Sequence, residues 1–176
     1  DSSDFFGGRV VSMDVSESST FRSGWAQVSD VEFVNMGQFG HTKPEDLRVP
    51  LAFYYVGLQD SSDERRSFVT NSAFHHSYNG GVVTGAGSDG VQVEGNVFFN
   101  IVADGIEDRG ENTRIVDNTV IFCQYRILYQ DLYELQTSQN GDREGSNLPA
   151  GINTIGTRSA IVLNNRVSGV EGYCYK

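Results

Sequence analysis

The residues best suited to chemistry are two adjacent histidines and an acidic run that follows them. His75 and His76 stand side by side, and Asp104, Glu107 and Asp108 fall within the segment ADGIEDRGEN. A carboxylate paired with an imidazole can transfer protons during cleavage of a glycosidic bond, whereas paired carboxylates can hold Ca²⁺ for a lyase-type reaction. Stacking of successive repeats could bring these groups together, so they define a catalytic alternative for this chain.

A structural role accounts for the same residues, and we favour it. Neighbouring residues on a strand point to opposite faces, so only one of His75 and His76 is expected to face a given groove. We expect the acidic run to form a solvated turn in which Arg109 pairs with a neighbour. No Cys or His cluster has the spacing of a zinc site, and we predict neither a metal nor another cofactor.

The elements that would position these residues are internal repeats. FVTNSAFHHSYNGGVVTGAGSD aligns with VQVEGNVFFNIVADGIEDRGEN, with RIVDNTVIFCQYRIL continued in AGINTIGTRS, and with the partial unit IVLNNRVSGVEGYCYK. One column of this alignment holds asparagines and a second holds glycines: Asn71, Asn96, Asn118 and Asn165, then Gly81, Gly105 and Gly151. The last step in each column is about twice the others, which indicates one repeat with a long insertion. Units of this length bury their apolar faces only by stacking on one another.

Each repeat has the pattern of short β-strands. VQVEGNVFF and TRIVDNTVIF alternate apolar and polar residues and then break at Gly-Asn or Asp-Asn corners. The sequence therefore predicts an all-β fold, a right-handed parallel β-helix of about five rungs. Val69, Val93 and Ile115 are expected to form one inward column, and Phe74, Phe99 and Phe122 another. The four asparagines are expected to form a hydrogen-bonded ladder at one corner.

Three loops should leave this solenoid, at residues 41–50, 59–66 and 129–150, and the last is the longest insertion. Tyr125, Tyr129 and Tyr133 recur at i, i+4 and i+8, so they would form one stripe if residues 125–135 are helical. Such a stripe more commonly packs an insertion onto the solenoid, but it is also the candidate glycan-binding site.

Composition and charge narrow the possible partners. The chain has 176 residues, 20 Gly, 3 Pro and a formal net charge of −10. This length suits a single β-helix domain over residues 1–176, expected to be a segment of a larger protein or assembly. An acidic chain without Lys or Arg clusters is not expected to bind nucleic acid, and no apolar run is long enough to insert into a membrane.

The two cysteines, Cys123 and Cys174, are a candidate disulfide pair. An even count in a secreted chain permits one bridge, which would contribute roughly 4 kcal/mol by restricting the unfolded chain. Two unpaired thiols, or pairing with cysteines of another chain, are the alternatives.

The order of the motifs resembles one family in particular. FGGRVV, VSDVEFVNMGQFG, RVPLAFYYVG, SAFHHSYNGGV and VEGNVFFN occur in the order found in the parallel β-helix region of fibrocystin-like (polyductin-type) proteins. The resemblance covers nearly the whole chain. It implies an extracellular or cell-surface location and a structural, adhesive role as a rigid spacer or docking piece.

The chain also resembles, more distantly, the β-helix of cell-surface and secreted hyaluronan-degrading proteins. Their corresponding block carries His-His and an acidic DGIE-type run, which implies the enzyme alternative named above. Those proteins have further histidines where this chain reads LAFYYVG, and Tyr54 and Tyr55 are not equivalent to them.

The predicted function is therefore a non-catalytic extracellular β-solenoid module. Its partners are expected to be other extracellular domains or further copies of the chain, with glycans as a further possibility. Neither end has a capping helix, so we expect the stack to continue, and head-to-tail stacking into a filament is one form this could take. A polysaccharide-acting enzyme and a glycan-binding module are the alternatives.

Overall fold

The computed structural model describes residues 6–18, 20–38, 48–57, 66–124 and 148–176. These residues contain eighteen strands, sixteen of which form three parallel sheets. The first sheet has the order β1 (Val10–Met13), β6 (Leu51–Tyr54), β9 (Val82–Thr84), β12 (Ile106–Asp108), β15 (Ala150–Thr154), β18 (Tyr173–Tyr175). The second has the order β4 (Gln27–Ser29), β7 (Phe68–Thr70), β10 (Gln92–Glu94), β13 (Arg114–Val116), β16 (Ile161–Leu163). The third has the order β5 (Glu32–Val34), β8 (Ala73–Ser77), β11 (Val97–Val102), β14 (Thr119–Gln124), β17 (Arg166–Ser168).

This topology confirms the predicted parallel β-helix. Each turn of the chain adds one strand to each sheet. From β6 onward, paired strands are therefore three strands apart in the sequence. Five complete coils are present, and β18 adds the first strand of a sixth. Residues about two dozen positions apart thus become neighbours between coils, as Val69, Val93 and Ile115 do.

Left-handed residues make the corners between strands. At the corner between the second and third sheets every coil places one residue at positive φ: Asp30, Asn71, Gly95, Asp117 and Asn164. Asn, Asp and Gly tolerate this conformation better than other residues, which explains why the repeat carries them there. A second left-handed column follows the first three residues of each third-sheet strand: Asn35, His76, Asn100, Phe122 and Gly169.

The core lies inside the coil and consists of stacked columns of apolar residues. Val69, Val93 and Ile115 are fully buried and in register, which confirms the predicted column. The predicted phenylalanine column is wrong after Phe74. Phe74 pairs with Phe98 and stacks on it at 4.9 Å between ring centroids, whereas Phe99 and Phe122 are 44% and 41% exposed.

The glycine column is dictated by close approach between coils. A Cβ atom on Gly81 would lie 2.3 Å from the carbonyl oxygen of Gly105, and one on Gly105 would lie 2.7 Å from that of Gly151. Neither Gly81 nor Gly105 has a positive φ, so steric contact alone excludes a side chain there.

Antiparallel pairs occur only near the N-terminal end of the described chain. β2 (Val15–Glu17) and β3 (Thr20–Arg22) form a hairpin inserted between β1 and β4. Phe6 bridges Gln38 in antiparallel fashion, and backbone bonds link Gly7 and Gly8 to Gly37. The two ends of the solenoid therefore differ.

Candidate functional site

The histidine pair lies on the outer side of the third sheet. His75 Nε2 is 2.8 Å from Glu32 Oε1 on the preceding coil, and the Nδ1 atoms of His75 and His76 are 2.9 Å apart. His76 also packs edge-on against Phe99 of the following coil, with ring centroids 5.8 Å apart. Glu32, His75, His76 and Phe99 form what we call the histidine cluster, which spans three coils.

The backbone explains how both rings come together. His76 has φ 55°, which interrupts the strand alternation, so adjacent residues are no longer sent to opposite faces. The expectation that His75 and His76 point apart is therefore wrong. His75 remains half-buried, with its side chain 24% exposed, and His76 is exposed.

The histidine cluster can hold and transfer protons. The contact between the two Nδ1 atoms is a hydrogen bond only if one of these atoms carries a proton and the other accepts it. When His75 carries a proton on Nε2, it donates that proton to Glu32. The arrangement is a carboxylate–imidazole–imidazole chain at a partly exposed surface, a geometry compatible with general acid–base chemistry.

The acidic residues of the predicted site lie elsewhere. Glu107 and Asp108 belong to β12 of the first sheet, and Asp104 precedes that strand. In the described part of the chain, no hydrogen bond or ion pair joins any of these three carboxylates to His75 or His76. The predicted pairing between the histidines and this acidic run is therefore wrong, because the two groups occupy different sheets. Glu32, which lies 43 residues before His75, takes the position of the carboxylate partner.

Asp104 and Asp108 instead join neighbouring coils. Asp104 accepts hydrogen bonds from the Ala150 backbone N–H at 2.6 Å and from Asn153 Nδ2 at 2.8 Å. Asp108 is fully buried and accepts from the Thr84 hydroxyl and from the Gly110 backbone N–H. Burial raises the pKa of both carboxyl groups, and these hydrogen bonds oppose the rise.

Glu107 forms an ion pair with a residue close to it in the sequence. Its carboxylate lies 2.5 Å from Arg109 Nε, and both side chains are about one-fifth exposed. This is the neighbour pairing expected for Arg109, but the expected solvated turn is wrong, because Ile106–Asp108 forms strand β12 and Asp108 is fully buried.

The asparagine ladder connects successive coils at the corner after the second sheet. Asn96 Nδ2 donates to Asn118 Oδ1 at 3.0 Å, and Asn118 Nδ2 donates to Asn165 Oδ1 at 2.9 Å. The inclusion of Asn71 is wrong by one residue. Ser72 occupies the ladder position in that coil, since its backbone N–H donates to Asn96 Oδ1 at 3.0 Å. Asn71 is exposed and supplies the left-handed residue before the ladder.

The predicted disulfide is absent. Cys123 and Cys174 are both free, the first buried in β14 of the third sheet and the second exposed in β18 of the first sheet. Because the two strands belong to different sheets, the Cys123 side chain lies in the core and the Cys174 side chain lies at the surface. Burial, with a smaller contribution from the nearby Asp104 carboxylate, raises the pKa of Cys123 to about 12, so this thiol stays protonated and unreactive at neutral pH.

The predicted glycan-binding tyrosines lie outside the described residues. Tyr125, Tyr129 and Tyr133, together with most of the insertion 129–150, fall in the undescribed range 125–147. Their role as a glycan site stays a prediction.

An apolar strip on the third sheet was not predicted. Its members point outward from the first, third and fourth coils and are 37–45% exposed: Val34, Val97, Phe99, Ile121 and Phe122. The strip adjoins the histidine cluster through Phe99. Correct alignment of EFVN with AFHH would have indicated both the strip and the role of Glu32, because it places Val34 beside His75 and His75 beside Phe99.

The described residues provide neither a metal site nor a membrane-spanning helix. Among the described residues, no group of three His, Cys, Asp or Glu side chains is arranged to hold a metal ion. Nor does that part of the chain contain a helix with the length and apolar character needed to cross a bilayer.

Comparison with known proteins places the chain in a family. The family model described as CEMIP beta-helix matches residues 6–174. Fibrocystin-L of Mus musculus is 29% identical over 137 residues, and fibrocystin-L of Homo sapiens is 28% identical over 137 residues. That alignment covers 78% of this chain but 3% of either fibrocystin-L, so the chain corresponds to a small part of these relatives. No solved structure matches the chain. The predicted resemblance to fibrocystin-like proteins is confirmed, and the chain belongs to the CEMIP β-helix family.

Proposed function

We propose that this chain is a non-catalytic structural and adhesive module of an extracellular or cell-surface protein. One observation carries the proposal: Asp104 and Asp108, two of the three acidic residues predicted for catalysis, hold neighbouring coils together. Asp104 ties β15 to the preceding coil, and Asp108 ties β12 to β9 through Thr84. A carboxylate that already accepts two hydrogen bonds in a buried corner is poorly placed to exchange protons with a substrate.

The mechanism of such a module is mechanical. Parallel backbone hydrogen bonds run along three sheets, and the ladder from Ser72 to Asn165, buried as far as Asn118, adds side-chain bonds between coils. A continuous apolar interior resists bending because every coil packs on its two neighbours. These features support a stiff spacer that holds other parts of a surface protein apart.

The apolar strip supports the adhesive part of the proposal. Monomeric proteins seldom expose many large apolar side chains side by side unless that surface contacts a partner. The strip runs along the solenoid, parallel to the stacking direction, so a partner lying along the rod could contact several coils at once.

The proposal is tested by incubating the intact chain with hyaluronan of defined length and measuring the length of the polymer afterwards. We expect no shortening, even after long incubation at a high ratio of protein to polymer. Shortening with many cleavages per protein molecule would overturn the proposal.

The enzyme alternative is favoured by one specific observation, the contact of Glu32 with His75 and of His75 with His76. If cleavage occurs, Glu32→Gln, His75→Ala and His76→Ala should each abolish it, since each breaks the proton-transfer chain. Asp104→Asn is the matched control, because Asp104 lies outside the histidine cluster and Asn retains its acceptor oxygen. Loss of cleavage in Asp104→Asn but not in the cluster variants would exclude the cluster as the catalytic group.

A further inference from the structure

We propose that the outer face of the third sheet binds a second copy of this chain, with the two solenoids side by side and their coil order reversed. The contact centres on the apolar strip and is flanked on both sides by an ion pair between Glu32 of one copy and Arg166 of the other. The inference rests on the proposed structural and adhesive function and names the partner of the strip.

The outward residues of the third sheet stand in columns that follow the strand register. From the first coil to the fifth, the first column is Glu32, Ala73, Val97, Thr119 and Arg166, and the second is Val34, His75, Phe99, Ile121 and Ser168. The left-handed residues that follow give a third column: Asn35, His76, Asn100, Phe122 and Gly169. The large apolar side chains therefore lie mainly in the third and fourth coils, and the charged side chains lie in the first and fifth.

The two charges on this face have opposite signs. Apart from the histidines, Glu32 is the only acidic residue and Arg166 the only basic residue in the strands of the third sheet, all of which are described. The Glu32 side chain is 68% exposed, so it can accept a further contact beside its bond to His75. Arg166 is exposed and forms no ion pair with another residue in the described part of the chain.

A two-fold axis parallel to the strands and passing over the third coil pairs these charges. Rotation about this axis reverses the coil order but sets each position along a strand opposite the same position of the second copy. Glu32 in the first coil then faces Arg166 in the fifth coil of the second copy, and the same pair recurs on the other side of the axis. The strand directions of the two packed sheets stay aligned, as is usual when sheets pack face to face.

The same rotation matches the apolar and aromatic side chains. At the axis, Phe99 faces Phe99 of the second copy, and Val97 faces Val97. Phe122 in the fourth coil faces His76 in the second, so the ring of His76, which already packs edge-on against Phe99, gains a second aromatic neighbour.

The other possible axis leaves the charges unmatched. An axis parallel to the stacking direction sets every coil opposite the same coil of the second copy. Glu32 then meets no cation on the third sheet, and Arg166 meets no carboxylate there. Charge complementarity therefore favours the reversed coil order.

The size of the face sets the strength of the contact. Five strands about 4.8 Å apart, each with three residues of about 3.3 Å, cover a footprint of about 20 by 10 Å. Stable interfaces bury about 800 Å² on each partner, so we expect a weak, reversible dimer with a dissociation constant on the order of 100 μM. Contacts of this strength reinforce one another when many copies lie side by side at a surface.

The test is sedimentation equilibrium of the full chain from about 10 μM to about 1 mM, a range that brackets the expected dissociation constant. We expect the average mass to rise with concentration from the monomer value of 19.4 kDa towards that of a dimer. Glu32→Arg and Arg166→Glu should each raise the dissociation constant at least about tenfold, because like charges then face each other twice in each dimer. Phe99→Ser should weaken the dimer in the same way, since it removes the apolar side chain at the axis, and circular dichroism should show that each variant is folded.

An equimolar mixture of Glu32→Arg and Arg166→Glu tests whether these two positions meet. In the mixed dimer the two introduced charges face each other and the two native charges face each other, so both pairs have opposite signs. We expect the mixture to dimerise about as tightly as the native chain. Glu17→Arg and Arg22→Glu are the matched controls, because they change the net charge equally in the exposed hairpin of β2 and β3, and they should leave the dissociation constant nearly unchanged.

Three results would overturn the proposal. A chain that stays monomeric at every concentration in this range would assign the apolar strip to a different protein. A dimer that withstands both charge reversals, or a mixture that dimerises no better than either variant alone, would show that Glu32 and Arg166 do not meet. The hyaluronan assay tests the absence of cleavage separately, so failure of the dimer is distinguishable from failure of the proposed function.

Discussion

At the scale of single residues, we expect the buried asparagine side chains to stabilise the fold more than the exposed ones. Asn118 is fully buried, and its side chain binds two groups of the preceding coil: Nδ2 donates to Val93 O, and Oδ1 accepts from the Asn96 backbone N–H. Replacing Asn118 with Ala leaves both of these buried groups without a partner. We expect the free energy of unfolding to fall by about 2–4 kcal/mol, measured by urea denaturation.

Asn71 supplies the control for that experiment. It is exposed, has φ 48°, and occupies the column that holds Gly95 in the next coil. Asn71→Gly should change stability by less than about 1 kcal/mol, because glycine adopts this conformation without strain. A cost for Asn71→Gly equal to that of Asn118→Ala would contradict the assignment of Ser72 to the ladder.

The buried carboxyl of Asp108 makes stability depend on pH. Burial raises its pKa in the folded state above the unfolded value, in spite of the hydrogen bonds from Thr84 and Gly110, and Oδ2 is buried without a hydrogen-bond partner. The protonated form therefore stabilises the fold fully below the unfolded pKa, about 3.9, and this contribution is lost as pH rises through the folded pKa. Asp108→Asn removes this dependence, because the amide stays neutral.

The measurement is urea denaturation of the native chain and of Asp108→Asn at a series of pH values from acidic to neutral. Relative to the native chain, the variant should gain stability as pH rises through the folded pKa of Asp108. If the free energy of unfolding of the variant instead falls relative to that of the native chain as pH rises, the ionised carboxylate is favoured in the folded state.

At the scale of the strand, the alternation of inward and outward side chains determines which of two adjacent aromatic residues stabilises the fold. Phe98 and Phe99 are adjacent on β11, but Phe98 is fully buried against Phe74, whereas Phe99 is 44% exposed. Phe98→Ala should lower the free energy of unfolding by about 3–5 kcal/mol, and Phe99→Ala by less than about 1 kcal/mol. Thermal denaturation of the two variants side by side provides the comparison, and reversed magnitudes would mean that the strand register is shifted by one residue.

Strand placement was predictable where successive repeats keep the same residue or the same kind of residue at one position. The glycines at 81, 105 and 151 mark a position where any side chain would collide with the next coil, so their spacing gives the register of the first sheet directly. The column of Val69, Val93 and Ile115 was found from alternation alone, since every member is apolar and buried.

Prediction failed where two residue types satisfy the same physical requirement. Ser72 supplies a ladder oxygen as Asn96 does, so alignment on asparagine chose Asn71 instead and shifted that position by one residue. The left-handed residue within the third-sheet strands had a similar effect. It interrupts alternation at His76 and Phe122 without any constant residue type to reveal it, so neither the His75–His76 contact nor the exposure of Phe122 could be read from the pattern.

At the scale of the whole molecule, the solenoid has a polarity that its repeating sequence conceals. Every ladder bond runs the same way, from a backbone N–H toward the next side-chain oxygen, so one end presents Val31 and the other presents the N–H of Asn165. An antiparallel segment lies at the first end, and open parallel edges form the second. The first and the last coils of the described stack therefore differ in structure.

The same architecture makes stability local, because each coil contacts only its neighbours. Val93 and Val162 belong to one inward column, but Val93 is fully buried in the third coil and Val162 is 38% exposed in the fifth. The identical truncation to Ala should therefore cost about 2–3 kcal/mol at Val93 and less than about 1 kcal/mol at Val162. Hydrogen exchange should show faster opening throughout β7, β10 and β13 in Val93→Ala, and only in β16–β18 in Val162→Ala. If both variants accelerate hydrogen exchange equally in all strands, the five coils unfold as one cooperative unit. The fifth coil would then not open separately from the others.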